Sequence, residues 1–338
     1  MRVAVLALDL AQAPPGRGDE AWTPPVCGRG DAAGAHGDAA AAMAALARAL
    51  GHEVVVVRLA YPTLDRLDDL RCDVALNLCE GLGRDGFPGV EVVEALGARG
   101  VPCAGADRDF LLLGLDKALA RARLARRGVP VPRGVVIDDA TPLEALDALR
   151  PPLVVKPREG GGSVGLAVAL DAAAARARAA AARATYGGLV VEELVQGPEV
   201  SVPVLGAGPT LRVLPAVEVA FAPEVPPADR VLRFADKHAP PGDWWLEAPP
   251  RLPGDLVRQA EATARAAYEA LGGRGHGRVD LRLGPDGPVV LEVNPNPSLE
   301  PALRREEQGL YARSLAAAGV SLVEWLQRLL DDALARPT

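Results

Sequence analysis

Two alternating runs near the carboxyl end of the chain carry acidic and amide side chains that could bind a metal ion. Residues 277–283 and 288–294 alternate polar and apolar residues, and residues 284–287 separate them. This pattern predicts a β-hairpin. If Gly284 pairs with Pro288, the whole register is fixed. One face would then be a core side with Val279, Leu281, Leu283, Val289, Leu291 and Val293.

That register places four polar side chains on the other face of the hairpin. Asp280 lies opposite Glu292 and Arg278 opposite Asn294, because every second side chain of a strand points to the same face. Two facing carboxylates repel each other, and a divalent cation removes that conflict. We therefore predict that Asp280, Glu292 and Asn294 bind Mg²⁺, and that Arg278 stabilises charge on a phosphoryl or acyl oxygen. A solvated hairpin of mixed polar residues is the alternative.

The lysines are a second candidate group. Of 37 basic residues, Lys117, Lys156 and Lys237 are the lysines, and all the others are arginine. A compact ammonium suits a point contact with phosphate, whereas a planar guanidinium suits a forked contact. Composition alone leaves chance and phosphate binding as equal alternatives.

A glycine-rich loop, residues 159–165 (EGGGSVG), follows Lys156 between two strand-like runs. Its backbone N–H groups could converge on an anion, and the hydroxyl of Ser163 could add a donor. The loop is neither a Walker A motif nor a dinucleotide-binding motif. An ordinary flexible hairpin loop is the alternative, but the nearby lysine favours a phosphate lid that includes Gly162, Ser163 and Val164.

Acidic residues end another strand-like run, residues 188–195. Glu192, Glu193 and Val195 could form a hinge whose backbone reads an adenine edge, and Glu199 could hold ribose hydroxyls. Exposed acidic residues at a strand end are the ordinary alternative.

The elements that must position these residues predict an α/β and α+β protein of three domains. Strands alternate with helices in residues 1–106, which predicts a parallel sheet with helices on its faces. A helix over residues 108–127 opens a smaller α+β segment, residues 107–189. Residues 190–338 form the last segment, which contains a Pro-rich insert and the hairpin.

The composition excludes several protein classes. A net charge of −7 argues against non-specific binding to nucleic acid or an anionic membrane. No apolar run approaches the roughly 18 residues of a membrane span. The four cysteines show neither a C-x-x-C pair nor zinc-ligand spacing, so we expect a reduced, cytoplasmic protein.

Taken in order, these segments resemble the D-alanine–D-alanine ligase family of ATP-grasp enzymes over nearly the whole chain. The matching segments are Gly81-x-Gly83-x-Asp85-Gly86-x-Pro88-Gly89, Asp116-Lys117 with residues 128–132, Lys156-Pro157 with residues 162–165, residues 192–195 with Gly197-Pro198-Glu199, and residues 277–280 with residues 292–294.

The resemblance implies a three-domain ATP-grasp fold that holds ATP between the central and C-terminal domains. It assigns the three lysines to ATP phosphates, with Lys237 in a mobile loop over the γ-phosphate. It implies two Mg²⁺ ions, which Mn²⁺ could replace, on the hairpin carboxylates, and catalytic roles for Arg278, Ser298 and Lys237. The implied reaction activates a carboxylate as an acyl phosphate, which an amine then attacks. Homodimers are common in the family.

Four departures from the family pattern concern the substrate. The Gly-Gly-x-Ser-x-Glu loop is missing from residues 10–37. Asn294 is followed by Pro-Asn-Pro-Ser298, which leaves a backbone N–H at Ser298 for an oxyanion. His238 stands where the family usually has Tyr, and Trp244-Trp245 could cover a bulky substrate or anchor their loop.

Three functions follow as expectations. The altered loops favour a carboxylate–amine ligase that joins amino acids, or an amino acid with a peptide or amine, other than two D-alanines. A D-alanine–D-alanine ligase with divergent loops is the alternative. A non-catalytic ATP-binding regulatory protein is the third, although binding ATP alone does not need Arg278.

Overall fold

Three β-sheets with helices on their faces make up the part of the chain that the computed structural model describes. No helix in this part is both long and apolar enough to cross a membrane. The described residues are 1–9, 39–81, 87–238, 242–297 and 309–336.

The first sheet is parallel and comes from the beginning of the chain. Its elements are β1 (Arg2–Leu8), α1 (Ala39–Ala49), β2 (Glu53–Leu59), β3 (Val74–Asn77), α2 (Val90–Ala98) and β4 (Cys103–Ala104). The strand order is β2-β1-β3-β4. Val3 and Val5 pack towards α1, whereas Ala4 and Leu6 pack towards α2. Burial of both faces explains why β1 is a continuous apolar run.

The continuous helix predicted over residues 108–127 is wrong, because Asp116 interrupts it. Two helices form instead, α3 (Arg108–Leu115) and α4 (Lys117–Arg126). Asp116 has extended backbone angles (φ −101°, ψ 100°), and its carboxylate accepts hydrogen bonds from the N–H groups of Ala118 and Leu119. It therefore caps α4, and Lys117 becomes the first residue of that helix.

The second sheet is antiparallel, with strand order β5-β8-β6-β7, and one helix covers one face. Its elements are β5 (Gly134–Ile137), β6 (Leu153–Pro157), β7 (Ala167–Ala169), α5 (Ala172–Tyr186) and β8 (Leu189–Glu193). Leu153 and Val155 pack with α5 in the core, so Val154 and Lys156 point away from it and line a cavity.

The third sheet is also antiparallel, with strand order β12-β11-β9-β13-β14 and β10 beside β9. Its elements are β9 (Glu199–Leu205), β10 (Arg212–Val213), β11 (Val217–Phe221), α6 (Phe234–His238), β12 (Trp244–Glu247), α7 (Gly254–Ala270), β13 (His276–Gly284) and β14 (Gly287–Pro295). Val200 and Val202 pack in one core with α7, and Glu199 and Ser201 face the same cavity as Lys156.

The last two helices return to the first sheet. Trp325 and Leu329 share a core with Val3 and Met43, so the end of the chain packs against its beginning. The helices are α8 (Leu310–Ala317) and α9 (Leu322–Leu334). The division into three domains stays a prediction.

Candidate active site

The hairpin of β13 and β14 pairs its polar residues as the alternation predicts. Arg278 lies opposite Asn294, and Asp280 lies opposite Glu292. The predicted turn is wrong, because Gly284 pairs with Gly287 across a two-residue turn.

A β-bulge at Leu291 restores the predicted pairing at the polar end of the hairpin. Leu281 pairs with Val290, so Leu291 is the extra residue of β14. The predicted core face is therefore wrong in part, since Val290 joins the core and Leu291 lines the cavity.

Asp280 is the centre of a hydrogen-bonded cluster on the cavity side of the third sheet. Arg278 donates to both of its oxygens, Nε to Oδ1 and Nη2 to Oδ2, each at 2.8 Å. The hydroxyl of Ser201 donates to Oδ1 at 2.6 Å, and the amide of Asn294 donates to Oδ2 at 2.8 Å. The sequence analysis did not identify Ser201. A single hydroxyl in an otherwise apolar strand, two residues after Glu199, was a signal for it, and Ser201 is buried.

Lys156 lies on β6 in a buried ion-pair network with Glu192. Its Nζ is 2.6 Å from Oε2 of Glu192, and Nη1 of Arg121 is 2.8 Å from Oε1 of the same carboxylate. Glu192 is 4% exposed. The side chain of Glu192 thus holds two cations.

Lys117 reaches the glycine-rich loop from the first turn of α4. Its Nζ donates to the carbonyl oxygen of Gly160 at 2.5 Å. The guanidinium of Arg158 holds Asp116, with Nη2 2.6 Å from Oδ2, and the backbone N–H of Lys117 donates to the carbonyl of Arg158 at 2.9 Å. Two links between α4 and the segment after β6 therefore fix the position of Lys117.

The positive charges of the site converge on Glu292. Burial alone would raise the pKa of Glu292, but Lys117, Lys156, Lys237 and Arg278 outweigh burial and lower the pKa to about 2. Glu292 is therefore an ionised carboxylate across the whole range of neutral pH.

Lys237 and Glu199 lie on the side of the cavity that α6 and β9 provide. Burial raises the pKa of Glu199, and the positive charges of Arg282 and Lys237 oppose that effect. Arg282 is a buried residue that sequence reasoning missed, and it contacts Glu199 with Nη2 at 3.2 Å.

The glycine-rich loop bends sharply at Gly162 and Ser163, which both have a φ of 63°. Ser163 and Val164 line the cavity, whereas Gly162 contributes its left-handed conformation and is not among the lining residues. The carboxylate of Glu193 is 3.5 Å from the guanidinium groups of both Arg133 and Arg150 and accepts a hydrogen bond from the backbone N–H of Arg150 at 3.0 Å. Ser298 and residues 10–37 lie outside the described residues.

All the described residues of the predicted site except Gly162 and Asn294 line one cavity between the second and third sheets. Asn294 adjoins it through Asp280. Its cations and carboxylates are paired, Lys156 with Glu192 and Arg278 with Asp280, and together they offer the groups that bind phosphate oxygens and a divalent metal.

Comparisons with known proteins agree with this geometry. The family model described as D-ala D-ala ligase C-terminus matches residues 133–331. A D-alanine–D-alanine ligase from Anaeromyxobacter sp. (strain Fw109-5) is 33% identical over 298 residues, which cover 87% of this chain and 90% of that protein.

This chain belongs to the D-alanine–D-alanine ligase family. It is an ATP-dependent ligase that forms a C–N bond and releases ADP. The solved D-alanine–D-alanine ligase from Bacillus anthracis aligns with a TM-score of 0.75 and 22% identity, over 99% of this chain and 97% of that one. A structure of that ligase complexed with ATP aligns with a TM-score of 0.73 and 21% identity over the same shares of both chains. The likeness confirms the ATP-grasp fold.

The oxygen-bearing side chains of the hairpin are suitable ligands for a magnesium ion. Asp280 and Glu292 offer carboxylate oxygens on facing positions, and the amide of Asn294 lies 2.8 Å from Asp280 and 3.4 Å from Glu292. Rotation of that amide by half a turn would present its oxygen in place of its nitrogen. The described residues hold no cluster of three or more His, Cys, Asp or Glu side chains suited to a metal. Magnesium commonly takes few carboxylates and completes its shell with phosphates and water.

Proposed function

We propose that the protein is a D-alanine–D-alanine ligase that uses ATP and Mg²⁺. The observation that carries the proposal is the convergence of three lysines and Arg278 on Glu292, in the cavity that also holds Asp280. The relatives favour D-alanine over the other amino acids, peptides or amines that the altered loops suggested. Family membership favours an active enzyme over a regulatory protein.

The first step would transfer the γ-phosphoryl group of ATP to the carboxylate of one D-alanine. Lys117 and Lys156 would contact phosphate oxygens, with their ammonium groups held by Gly160 and Glu192. Lys237 would reach the γ-phosphate from α6. Asp280, Glu292 and Asn294 would hold Mg²⁺, which neutralises phosphate charge when bound. The chain's own contribution is positioning and charge stabilisation.

The second step would join the activated D-alanine to a second one. The neutral amine attacks the carbonyl carbon of the acyl phosphate, the C–N bond forms, the C–O bond to phosphate breaks with release of inorganic phosphate, and the nitrogen loses one proton to solvent. Arg278 would stabilise the negative oxygen of the tetrahedral intermediate. It would have to exchange one of its bonds to Asp280 for that contact. A dimer and a cytoplasmic location stay predictions.

The test is ADP release by the purified chain with ATP and Mg²⁺ in the presence of D-alanine, with product identification by mass spectrometry. D-alanyl-D-alanine and ADP in equal amounts are expected. Parallel reactions contain L-alanine, D-serine or small amines. ADP release with one of those and none with D-alanine would overturn the substrate assignment while it preserved the ligase.

A further inference from the structure

One buried arginine links three segments beside the cavity. Arg282 is 3% exposed. Its Nε and Nη2 donate to Oε2 of Glu199 at 3.3 and 3.2 Å. Its Nη1 donates to the carbonyl oxygen of Val195 at 3.0 Å, and Nη2 also donates to the carbonyl of Arg230.

The sheet register brings Arg282 and Glu199 together. The two residues are direct partners in the antiparallel pairing of β13 with β9. Their side chains point to the cavity and both line it. Glu199 is thus held by a forked donor on a strand whose position the Asp280 cluster also fixes.

Arg282 makes more hydrogen bonds than it would need to neutralise the carboxylate of Glu199. Both bonds from Arg282 to Glu199 use Oε2, and no residue in the described part of the chain donates to Oε1, so that oxygen can accept a hydrogen bond from a ligand in the cavity. The remaining donors take backbone carbonyls, at Val195 at the end of the predicted hinge and at Arg230 in the segment before α6. A planar guanidinium can hold three such acceptors at once, and an ammonium would lack that geometry.

We propose that Arg282 is the positioning residue for ribose recognition. It fixes the orientation of Glu199 so that Oε1 accepts a hydrogen bond from a ribose hydroxyl, and it fixes the hinge at Val195 relative to that carboxylate. The inference rests on the proposed use of ATP and adds a residue that acts through Glu199.

The test compares binding of ADP, 2′-deoxyADP and 3′-deoxyADP to the full chain by titration calorimetry. The wild-type protein should bind ADP more tightly than at least one deoxy analogue by about tenfold, the scale of one hydrogen bond to a charged group. Arg282→Met should weaken ADP binding and bring that ratio close to one, with a smaller effect on the analogue. An equal loss for ADP and both analogues would overturn the proposal, as would a wild-type protein that does not distinguish them.

Two further variants keep the test decisive if Arg282→Met does not fold. Arg282→Lys retains the charge without the fork and should lose most of the ribose preference. Glu199→Gln should lose the preference as well, and adding Arg282→Lys to it should change the ratio no further. Arg265→Met, which breaks an exposed pair with Glu269 on α7, is the matched control and should retain the wild-type ratio.

The two proposals can fail separately. Ribose discrimination without ligation of D-alanine would refute the proposed substrate and support the role of Arg282. Ligation of D-alanine with no ribose discrimination would refute the role of Arg282 alone.

Discussion

Glu292 has two proposed tasks in the site. It faces Asp280 across the hairpin, and it is the carboxylate on which the positive charges of Lys117, Lys156, Lys237 and Arg278 converge. Removal of its charge therefore removes a proposed metal ligand and leaves four cations without their shared partner.

Glu292→Gln should lower kcat by about 100-fold or more, because it removes a ligand charge and disturbs the phosphate-binding lysines together. The measurement is the initial rate of ADP release over a series of Mg²⁺ concentrations, with circular dichroism to check the fold. Asp286→Asn, in the exposed turn of the same hairpin, is the control and should behave as wild type. A Glu292→Gln rate above half that of wild type at saturating Mg²⁺ would refute the metal assignment.

Arg121 acts on Lys156 through the carboxylate that both contact. Arg121→Met should raise the KM for ATP about tenfold, because Glu192 loses the cation that holds Oε1 and can turn away from Lys156. A smaller change is expected in kcat, and Arg121→Lys should restore part of the affinity. The measurement is steady-state kinetics with varied ATP.

The same helix provides the control for Arg121. Arg123→Met removes a 3.1 Å bond from Nε to the carbonyl of Ala270, on the side of α4 that faces away from Glu192. It should leave the KM for ATP unchanged. Equal effects of the two substitutions would mean that Arg121 serves only the stability of the helix.

At the scale of elements, the sequence predicts the polar end of the hairpin, with Asp280 and Glu292, better than it predicts the turn. Alternation identifies which residues share a face, so periodicity alone places Asp280 and Glu292 on the same side of the hairpin, and their direct pairing depends on the register as well. The bulge at Leu291 does not, because a bulge inserts a residue without changing the composition of the strand. The turn error and the bulge offset each other, which is why the polar pairs were predicted correctly from the wrong turn.

The break between α3 and α4 was beyond sequence reasoning for a different reason. Local propensity over residues 108–127 favours one helix. Asp116 leaves it as the N-cap of α4, and Arg158, 42 positions later, holds its carboxylate in place. The start of α4 at Lys117 therefore combines a local cap with a long-range ion pair.

Trp244 contacts the helix that carries Lys237. Its Nε1 donates to the carbonyl of Asp236 in α6 at 3.1 Å, so it anchors that helix to β12. Trp244→Phe should keep most of the packing, lose this bond and lower kcat about fivefold, because Lys237 would be less well positioned. The measurement is kcat at saturating ATP and D-alanine.

Trp245→Phe is the matched control for the anchoring role. Trp245 is 41% exposed, and its Nε1 contacts the side chain of Glu247 instead of α6. Wild-type kcat is expected for this variant. If Trp245→Phe lowers kcat as much as Trp244→Phe, the pair acts on the substrate and not through α6.

At the scale of the whole molecule, the end of the chain completes the core of its beginning. Trp325 and Tyr311 belong to the same apolar cluster as Val3 and Val5, and His276 at the start of β13 contacts both aromatic rings edge-on. Amphipathic periodicity predicts that the last helix exists, but it carries no information about which sheet that helix covers. Contacts of this sequence separation cannot be read from local patterns.

His276 makes this long-range core sensitive to pH. Burial lowers the pKa of His276 from 6.5 to about 3. Below pH 6.5 the unfolded chain therefore binds a proton that the folded chain excludes. Above pH 6.5 the neutral His276 does not reduce the free energy of unfolding. As the pH falls from 6.5 towards 3, protonation of the unfolded chain lowers that free energy.

The wild-type protein should lose about 2 kcal/mol more than His276→Gln between pH 7 and pH 5, at roughly 1.4 kcal/mol per pH unit below 6.5. His276→Gln lowers stability at pH 7, because the packing against Tyr311 and Trp325 is lost, so the two proteins should converge as the solution becomes more acidic. The measurement is the urea midpoint of unfolding at pH 7, 6 and 5. Parallel plots of the urea midpoint against pH for the two proteins would show that His276 is protonated in the folded state as readily as in the unfolded chain. The contact between the hairpin and the C-terminal helices would then not depend on a neutral imidazole.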